Sequence, residues 1–245
     1  IYFADLLPQY ESNWQDRFRK EIDMGMALGH RAFKVKIGRG YKWMPWDAGY
    51  KRDKQVLEVI RRHAGSDVIV GVDSNNGYNL DKAKQLLLDL PDYNFAFMEE
   101  MFPETVDQCL EFKDFIKSHG FQTLLADGES GREIEFYEPF IKAQAIDVCQ
   151  ADMRQFGMDG ITTIAQSCAD KSILIAPHNW GSLIGYYMQL QIGRAIGNFY
   201  RAEHDPVSTD VLIDDGYSIK DGYATVPDAP GFGLMVDEDK FASRV

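Results

Sequence analysis

Short apolar runs alternate with amphipathic helical patterns along most of this 245-residue chain, and that alternation limits its fold more than any other feature. Strand-like runs fall at 1–4, 32–37, 67–73, 94–99, 122–127, 145–150, 172–176 and 199–203. Helical patterns lie between them, at 15–28, 54–63, 80–90, 105–119, 132–142, 161–170 and 183–196. The first of these carries Phe18, Ile22 and Met26 on one face and stops at Gly29.

Strands separated by helices pair in parallel, because parallel neighbours need crossover connections. Closing eight such strands into a ring gives an α/β fold, a TIM-type (β/α)7β barrel. An open, doubly wound sheet is the competing arrangement. It is disfavoured because no Gly-x-Gly-x-x-Gly follows the first strand. Barrels of this kind commonly run to about 250 residues, so residues 1–245 are read as one barrel domain. The stretch from 208 to 239 reads as closing loops. The chain opens at Ile1 rather than Met, inside a strand pattern, so an upstream segment is expected to be missing.

The 38 acidic and 26 basic residues give a net charge of −12, which argues against nucleic acid or an anionic membrane as partner. An acidic small molecule is not excluded, because local charge and a metal decide that. Cys109, Cys149 and Cys168 are odd in number and lack metal-site spacing. They are read as reduced thiols of a cytoplasmic protein. No apolar run approaches the ~20 residues of a membrane helix, and no signal peptide is visible.

Barrel active sites sit where the strands end at their C-terminal side. The second expected strand closes as Phe33-Lys34-Val35-Lys36-Ile37. Alternation puts Lys34 and Lys36 on the face opposite the apolar set, so both ammonium groups point to the mouth. Neighbouring lysines repel, which lowers the pKa of at least one and suits it to act as a base. The next three strands end at Asp73, at Glu99-Glu100, and at Asp127-Gly128-Glu129. Any one of these acids taken alone reads equally well as a helix cap. Three carboxylates on consecutive strands would repel unless a cation lay among them, and oxygen-only donors favour Mg²⁺ or Mn²⁺. The sixth strand leads to Asp152 and the seventh to His178, a pairing in which the carboxylate orients the imidazole. The eighth ends at Glu203, either a protonated donor or a partner of Arg201. Asn179 and Trp180 follow His178 and are candidate substrate contacts. Trp43, Trp46 and Tyr50 follow the lysine pair in what reads as a loop, either roofing the site or packing on a further domain.

Lys-x-Lys, Asp-x-Asn, Glu-Glu, Gly-Glu, Asp, His and Glu, one motif per strand, together resemble the mandelate racemase branch of the enolase superfamily. The tail Pro230-Gly231-Phe232-Gly233, with Asp237-Glu238-Asp239 after it, is similar to the usual end of that barrel. The resemblance implies roles. Lys36 is the base on one substrate face and Lys34 its pKa-lowering neighbour. Asp73, Glu99 and Glu129 are metal ligands, supported by Asn75 and Glu100. His178 with Asp152 is the acid/base dyad of the opposite face, and Glu203 hydrogen-bonds the substrate carboxylate. A Lys or His base working with Mg²⁺ on an enediolate is the superfamily's general pattern and is taken from the resemblance.

Met101 departs from the proline common after Glu-Glu. Asp127 stands as an alternative third ligand, and Glu129 is favoured because Gly-Glu goes with the histidine dyad. The resemblance also implies an N-terminal α+β capping domain, apparently missing from this chain, and a homo-oligomer. The expected activity is removal of the proton α to the carboxylate of a small-molecule substrate, by an acid-sugar dehydratase. The alternatives are a racemase or epimerase of a 2-hydroxy acid or amino-acid derivative, and a metal-binding barrel without turnover.

Overall fold

The computed structural model describes residues 1–205 and 207–244. The chain forms two compact units, Ile1–Asp127 with Ala143–Asp147, and Gly128–Lys142 with Val148–Val245. Among the described residues no helix is long and apolar enough to cross a membrane.

The first unit alternates helices α1 (Trp14–Ala27), α2 (Arg39–Lys42), α3 (Trp46–Ala64), α4 (Leu80–Asp89) and α5 (Val106–Ser118) with strands β1 (Ala32–Lys36), β2 (Ile69–Asp73), β3 (Phe97–Glu99) and β4 (Leu124–Asp127). The strands pair in chain order and in parallel. Their register sets Lys36 beside Asp73 and Asp73 beside Glu99. Val35, Ile37, Val70, Val72, Met98 and Leu125 are fully buried, as are Phe18, Ile22, Val56, Leu57, Ile60, Leu86 and Phe112 on the helices. The alternation of β1 is direct: the Phe33 ring lies so close to Gly25 of α1 that a Cβ there would meet it at 2.4 Å. Phe33 therefore faces the helix, and its neighbours Lys34 and Lys36 take the other side.

Two expectations change in this unit. Residues 1–4 form no regular strand, although Lys36 N–H donates to Ile1 O at 2.9 Å and the Ile1 amine donates to Lys34 O at 2.8 Å. Residues 4–6 instead close a 3-10 turn. Trp46 and Tyr50 lie in the first turns of α3 rather than in a loop. Pro45 fixes φ just before the helix, and Trp46 stacks edge-on against Tyr78 with centroids 5.3 Å apart.

A buried ionic network ties the segment after β1 to its surroundings. Arg39, Asp5 and Asp53 are almost wholly buried. Asp53 accepts from Gly38 N–H at 2.9 Å, Arg39 Nη1 at 2.6 Å and Tyr78 Oη at 2.9 Å. Arg39 also donates to Asp5 and to Lys36 O. Removing one partner of such a network leaves a buried charge under-compensated. Asp53→Ala is therefore expected to cost about 3–5 kcal/mol in urea unfolding. A loss under about 1 kcal/mol would mean that the network does not hold this segment.

The second unit holds α6 (Glu138–Ala143) except its last residue, β5 (Val148–Cys149), α7 (Met153–Ala169), β6 (Leu174–Ile175), α8 (Leu183–Ala195), β7 (Leu212–Ile213), β8 (Ser218–Lys220), β9 (Tyr223–Thr225), β10 (Met235–Val236) and α9 (Glu238–Ala242). β5 and β6 pair in parallel. The expected helix at 132–142 is a 3-10 turn at Ile134–Phe136 followed by the short α6. Pro139 has no N–H to give to a helix running through it, but is tolerated in the first turn of α6. The helix expected at 161–170 begins earlier, at Met153, and kinks at Gly157, where φ is 60° and ψ −169°. The strand expected at 199–203 shrinks to one bridge, Ile175 to Phe199. The tail is more ordered than closing loops. β7 pairs with β10 and β8 with β9, both antiparallel, and Tyr217, Ile219, Val226 and Leu234 pack onto Tyr186, Tyr187 and Leu190 of α8. The three cysteines are unbridged and buried.

Candidate active site

The first unit brings six of the expected residues together. Asp73 and Glu99 end adjacent strands with no exposed surface, and each offers a carboxylate oxygen within 4.8 Å of the other. Lys34 reaches both, at 2.6 Å from Glu99 and 3.3 Å from Asp73. Lys36 pairs with Asp73 and donates to Asn75 Oδ1 at 2.8 Å. Burial alone would push the Asp73 carboxyl up. The charges of Lys34 and Lys36 and the Asn75 N–H outweigh it and hold the group well below the usual carboxylate range.

The loop after β2 is locked to the one after β3. Asn75 Nδ2 donates to Glu100 Oε2 at 3.0 Å, Asn76 N–H donates to Glu100 O at 2.6 Å, and Ser74 Oγ donates to the same carbonyl at 2.8 Å. Asn75, Asn76 and Glu100 all adopt positive φ, at 44°, 59° and 39°. Left-handed backbone at three non-glycine residues is costly and persists where surrounding contacts over-determine it, as at functional sites. Asp127 is buried at the end of β4. Burial first, and then the charges of Asp127 and Glu104, push the Cys109 thiol up to about 12.

The second unit holds the remaining group. Asp152 caps α7, accepting from Arg154 N–H at 2.8 Å and Gln155 N–H at 2.9 Å, while its other oxygen meets His178 Nδ1 at 2.7 Å. A helix N-terminus and an imidazole thus share one carboxylate, which fixes its orientation twice over. Burial would raise the Asp152 carboxyl. The bonds from His178, Gln155 and Arg154 prevail and hold it far below its ordinary range. The far side of the ring, Nε2, lies 3.2 Å from Glu129 Oε2. Gly128, at φ 117°, turns the chain into Glu129, and its carbonyl accepts from Tyr137 Oη at 2.8 Å. A Cβ at Gly128 would stand 2.9 Å from the Tyr137 ring.

Glu203 Oε2 accepts from Asn179 N–H at 2.7 Å. Asn179 is fully buried and its Nδ2 donates to Ser182 O at 2.8 Å, whereas Trp180 is largely exposed. Two residues that shape this loop carried no signal in the sequence. Asp205 accepts from Gly181 N–H, and Gln189 grips the backbone of Glu203. Asp205 lies past the end of its expected strand and Gln189 inside an apolar helix, so neither periodicity nor motif marks them.

The sequence matches the enolase C-terminal domain-like family over residues 17–240. The chain belongs to the enolase superfamily. It is similar to D-galactarolactone cycloisomerase of Agrobacterium fabrum, 26% identical over 87% of this chain and 56% of the relative. It is also similar to D-xylonate dehydratase of Haloferax volcanii, 24% identical over 97% of this chain and 59% of the relative. Among solved structures, galacturonate dehydratase from Geobacillus sp., complexed with D-galacturonate and 5-keto-4-deoxy-D-galacturonate, superposes with a TM-score of 0.90 at 31% identity. That match covers 99% of this chain and 65% of the Geobacillus chain. A mandelate racemase/muconate lactonizing protein from Geobacillus sp. Y412MC10, complexed with magnesium and tartrate, gives 0.91 at 31% identity, over 99% of this chain and 63% of that one. The chain thus spans little more than half to two-thirds of the length of these relatives. The α/β class and TIM-type barrel expected from the alternation are those of the superfamily's C-terminal domains.

Proposed function

We propose that this superfamily member removes the proton α to the carboxylate of an acid sugar and expels the β-hydroxyl, giving a 2-keto-3-deoxy acid. The observation that carries the reading is the pair of base groups, each built around a fixed carboxylate: Lys34 and Lys36 on Asp73 and Glu99, and His178 on Asp152.

Asp73 and Glu99, fully buried with oxygens within 4.8 Å, form a donor set suited to a hard divalent cation. The residues therefore fit Mg²⁺ (Mn²⁺ is also compatible), with Asp73, Glu99 and Glu129 as its ligands. Glu129 is preferred over Asp127 because the acid that follows Gly128 is the one that goes with the histidine dyad in the resembled branch. When bound, the ion supplies Lewis-acid stabilisation of the negative charge that grows on the substrate carboxylate.

The protein's own groups carry the protons. Lys36 Nζ, as the neutral amine that has given its own proton to solvent and parted from Asp73, takes the α-proton, with Lys34 holding the neighbouring carboxylate. The electron pair left at Cα forms the Cα–Cβ double bond as the Cβ–O bond breaks. His178 Nε2, protonated and steadied by Asp152 at Nδ1, delivers a proton to the departing hydroxyl, which leaves as water. The enol product tautomerises to the 2-keto acid. Glu203 is assigned to the substrate carboxylate, and Asn75 with Glu100 keeps the lysine end of the site in place. The same two bases suit a racemase or epimerase, in which His178 returns a proton to Cα from the other face.

The test is incubation of the full-length protein with Mg²⁺ and a panel of acid sugars in D₂O, followed by ¹H NMR. Loss of the α-proton signal with build-up of a keto product is the expected result. Exchange without a keto product would replace the dehydratase with the epimerase. A metal-loaded protein that exchanges no α-proton would leave a barrel without turnover.

A further inference from the structure

Gln189 is fully buried on α8, on a helix that otherwise presents Tyr186, Tyr187, Leu190 and Ile192 to the interior. An apolar residue of similar size would pack there without the desolvation that a buried amide suffers. Both ends of the amide bind the backbone of one residue. Its Oε1 accepts from Glu203 N–H at 2.8 Å and its Nε2 donates to Glu203 O at 3.1 Å. A side-chain amide, having the donor and acceptor of a peptide unit, thereby replaces a strand partner where regular pairing has stopped after Phe199.

The clamp passes on to the loop after β6. Glu203 Oε2 holds Asn179 N–H at 2.7 Å, and Asp205, two residues further on, holds Gly181 N–H. His178, immediately before Asn179, is fixed on its own backbone by His178 N–H to Ala151 O at 3.2 Å and by Met153 N–H to His178 O at 2.9 Å. The direction of the imidazole is thus set from both ends of a short loop, and one end hangs from Gln189.

We propose that Gln189 is a positioning residue: through Glu203 and Asn179 it fixes the backbone from which His178 meets Asp152 and Glu129. The kinetic part of this proposal rests on the functional reading above; the structural part does not.

Gln189→Met keeps the volume and removes both hydrogen bonds. In hydrogen–deuterium exchange read by mass spectrometry, peptides covering 178–182 should exchange about tenfold faster or more, while those from β1 to β4 keep wild-type rates. The ¹⁵N shifts of the His178 ring should move at constant pH. With a turned-over acid sugar, kcat should fall by about 10²-fold with KM within about twofold. Deuterium incorporation should rise relative to water loss, because Lys36 is untouched. Unchanged exchange at 178–182 overturns the proposal, and so does a kcat within about twofold of wild type despite a loosened loop. If the Met variant does not fold, Gln189→Asn keeps a neutral amide but withdraws it by one methylene from Glu203 N–H and O, and the same comparisons apply. If the wild type turns over no acid sugar, only the functional reading fails. The exchange and ¹⁵N measurements then decide the proposal alone: a loosened loop with shifted ring signals supports it, and unmoved ring signals overturn it.

Discussion

Lys36→Ala is expected to reduce α-proton exchange by about 10²–10⁴-fold, the usual contribution of a positioned general base. The substitution takes away the group proposed to receive the proton. It also removes one of the two ammonium groups facing Asp73. Lys34 stays with Glu99 at 2.6 Å, so the buried carboxylates keep a counter-charge and the fold should survive. Losing a cation that competes for Asp73 should leave Mg²⁺ binding intact or tighten it. Calorimetric titration with Mg²⁺ beside the NMR exchange assay separates the two effects. An exchange rate within about tenfold of wild type would remove Lys36 from the role of base.

Asp73→Asn is expected to be as severe for a different reason. The side chain keeps its shape but loses a charge at a fully buried point of the first unit, where Lys34, Lys36 and Asn75 N–H all converge. A proposed ligand disappears and two ammonium groups face one carboxylate fewer. Charge stabilisation of several kcal/mol is at stake, and each ~1.4 kcal/mol is tenfold in rate, so kcat/KM should drop by about 10³-fold or more. Mg²⁺ affinity should drop in the same variant. Retained Mg²⁺ binding with retained exchange would exclude Asp73 from the metal site.

The same substitution has a signature in pH. The folded protein holds the Asp73 carboxyl below its unfolded value. A group depressed in this way contributes stability that is fully present above its unfolded pKa of about 3.9 and is lost as pH falls through the folded one. The acid limb of a Tm-against-pH curve should therefore be shallower in Asp73→Asn than in wild type.

Which side chains line the site depended on strand parity, and parity is legible in a sequence. Phe33, Val35 and Ile37 declare the helix-facing side of β1, and Lys34 and Lys36 follow of necessity. Asp73, Glu99 and Asp127 could be picked out because each stands where an apolar run stops, whereas the preference for Glu129 over Asp127 came from the resemblance. Single-residue bounds were less legible. The runs at 1–4 and 199–203 have strand composition, yet regular pairing is limited to two hydrogen bonds at Ile1 and one bridge at Phe199. The two antiparallel pairs of the tail were missed because strands of two or three residues are too short to show a period.

The sequence alone determined the alternation of strands and helices, the parallel order it entails, and the identity of the acids, lysines and histidine at the strand ends. Those are local properties, fixed by periodicities of two and about 3.6 residues. Only the tertiary structure decided how these groups are held: Asp152 shared between the α7 N-terminus and His178, Arg39 buried between Asp5 and Asp53, Gln189 standing in for a strand beside Glu203. The Asp152–His178 pairing was expected from the strand ends, but the contacts of Gln189 with Glu203 and of Arg39 with Asp5 join residues 14 and 34 positions apart, with nothing in the intervening chain to announce them. They follow from a buried polar group's need for partners, and which partners come within reach is settled only when the chain has packed.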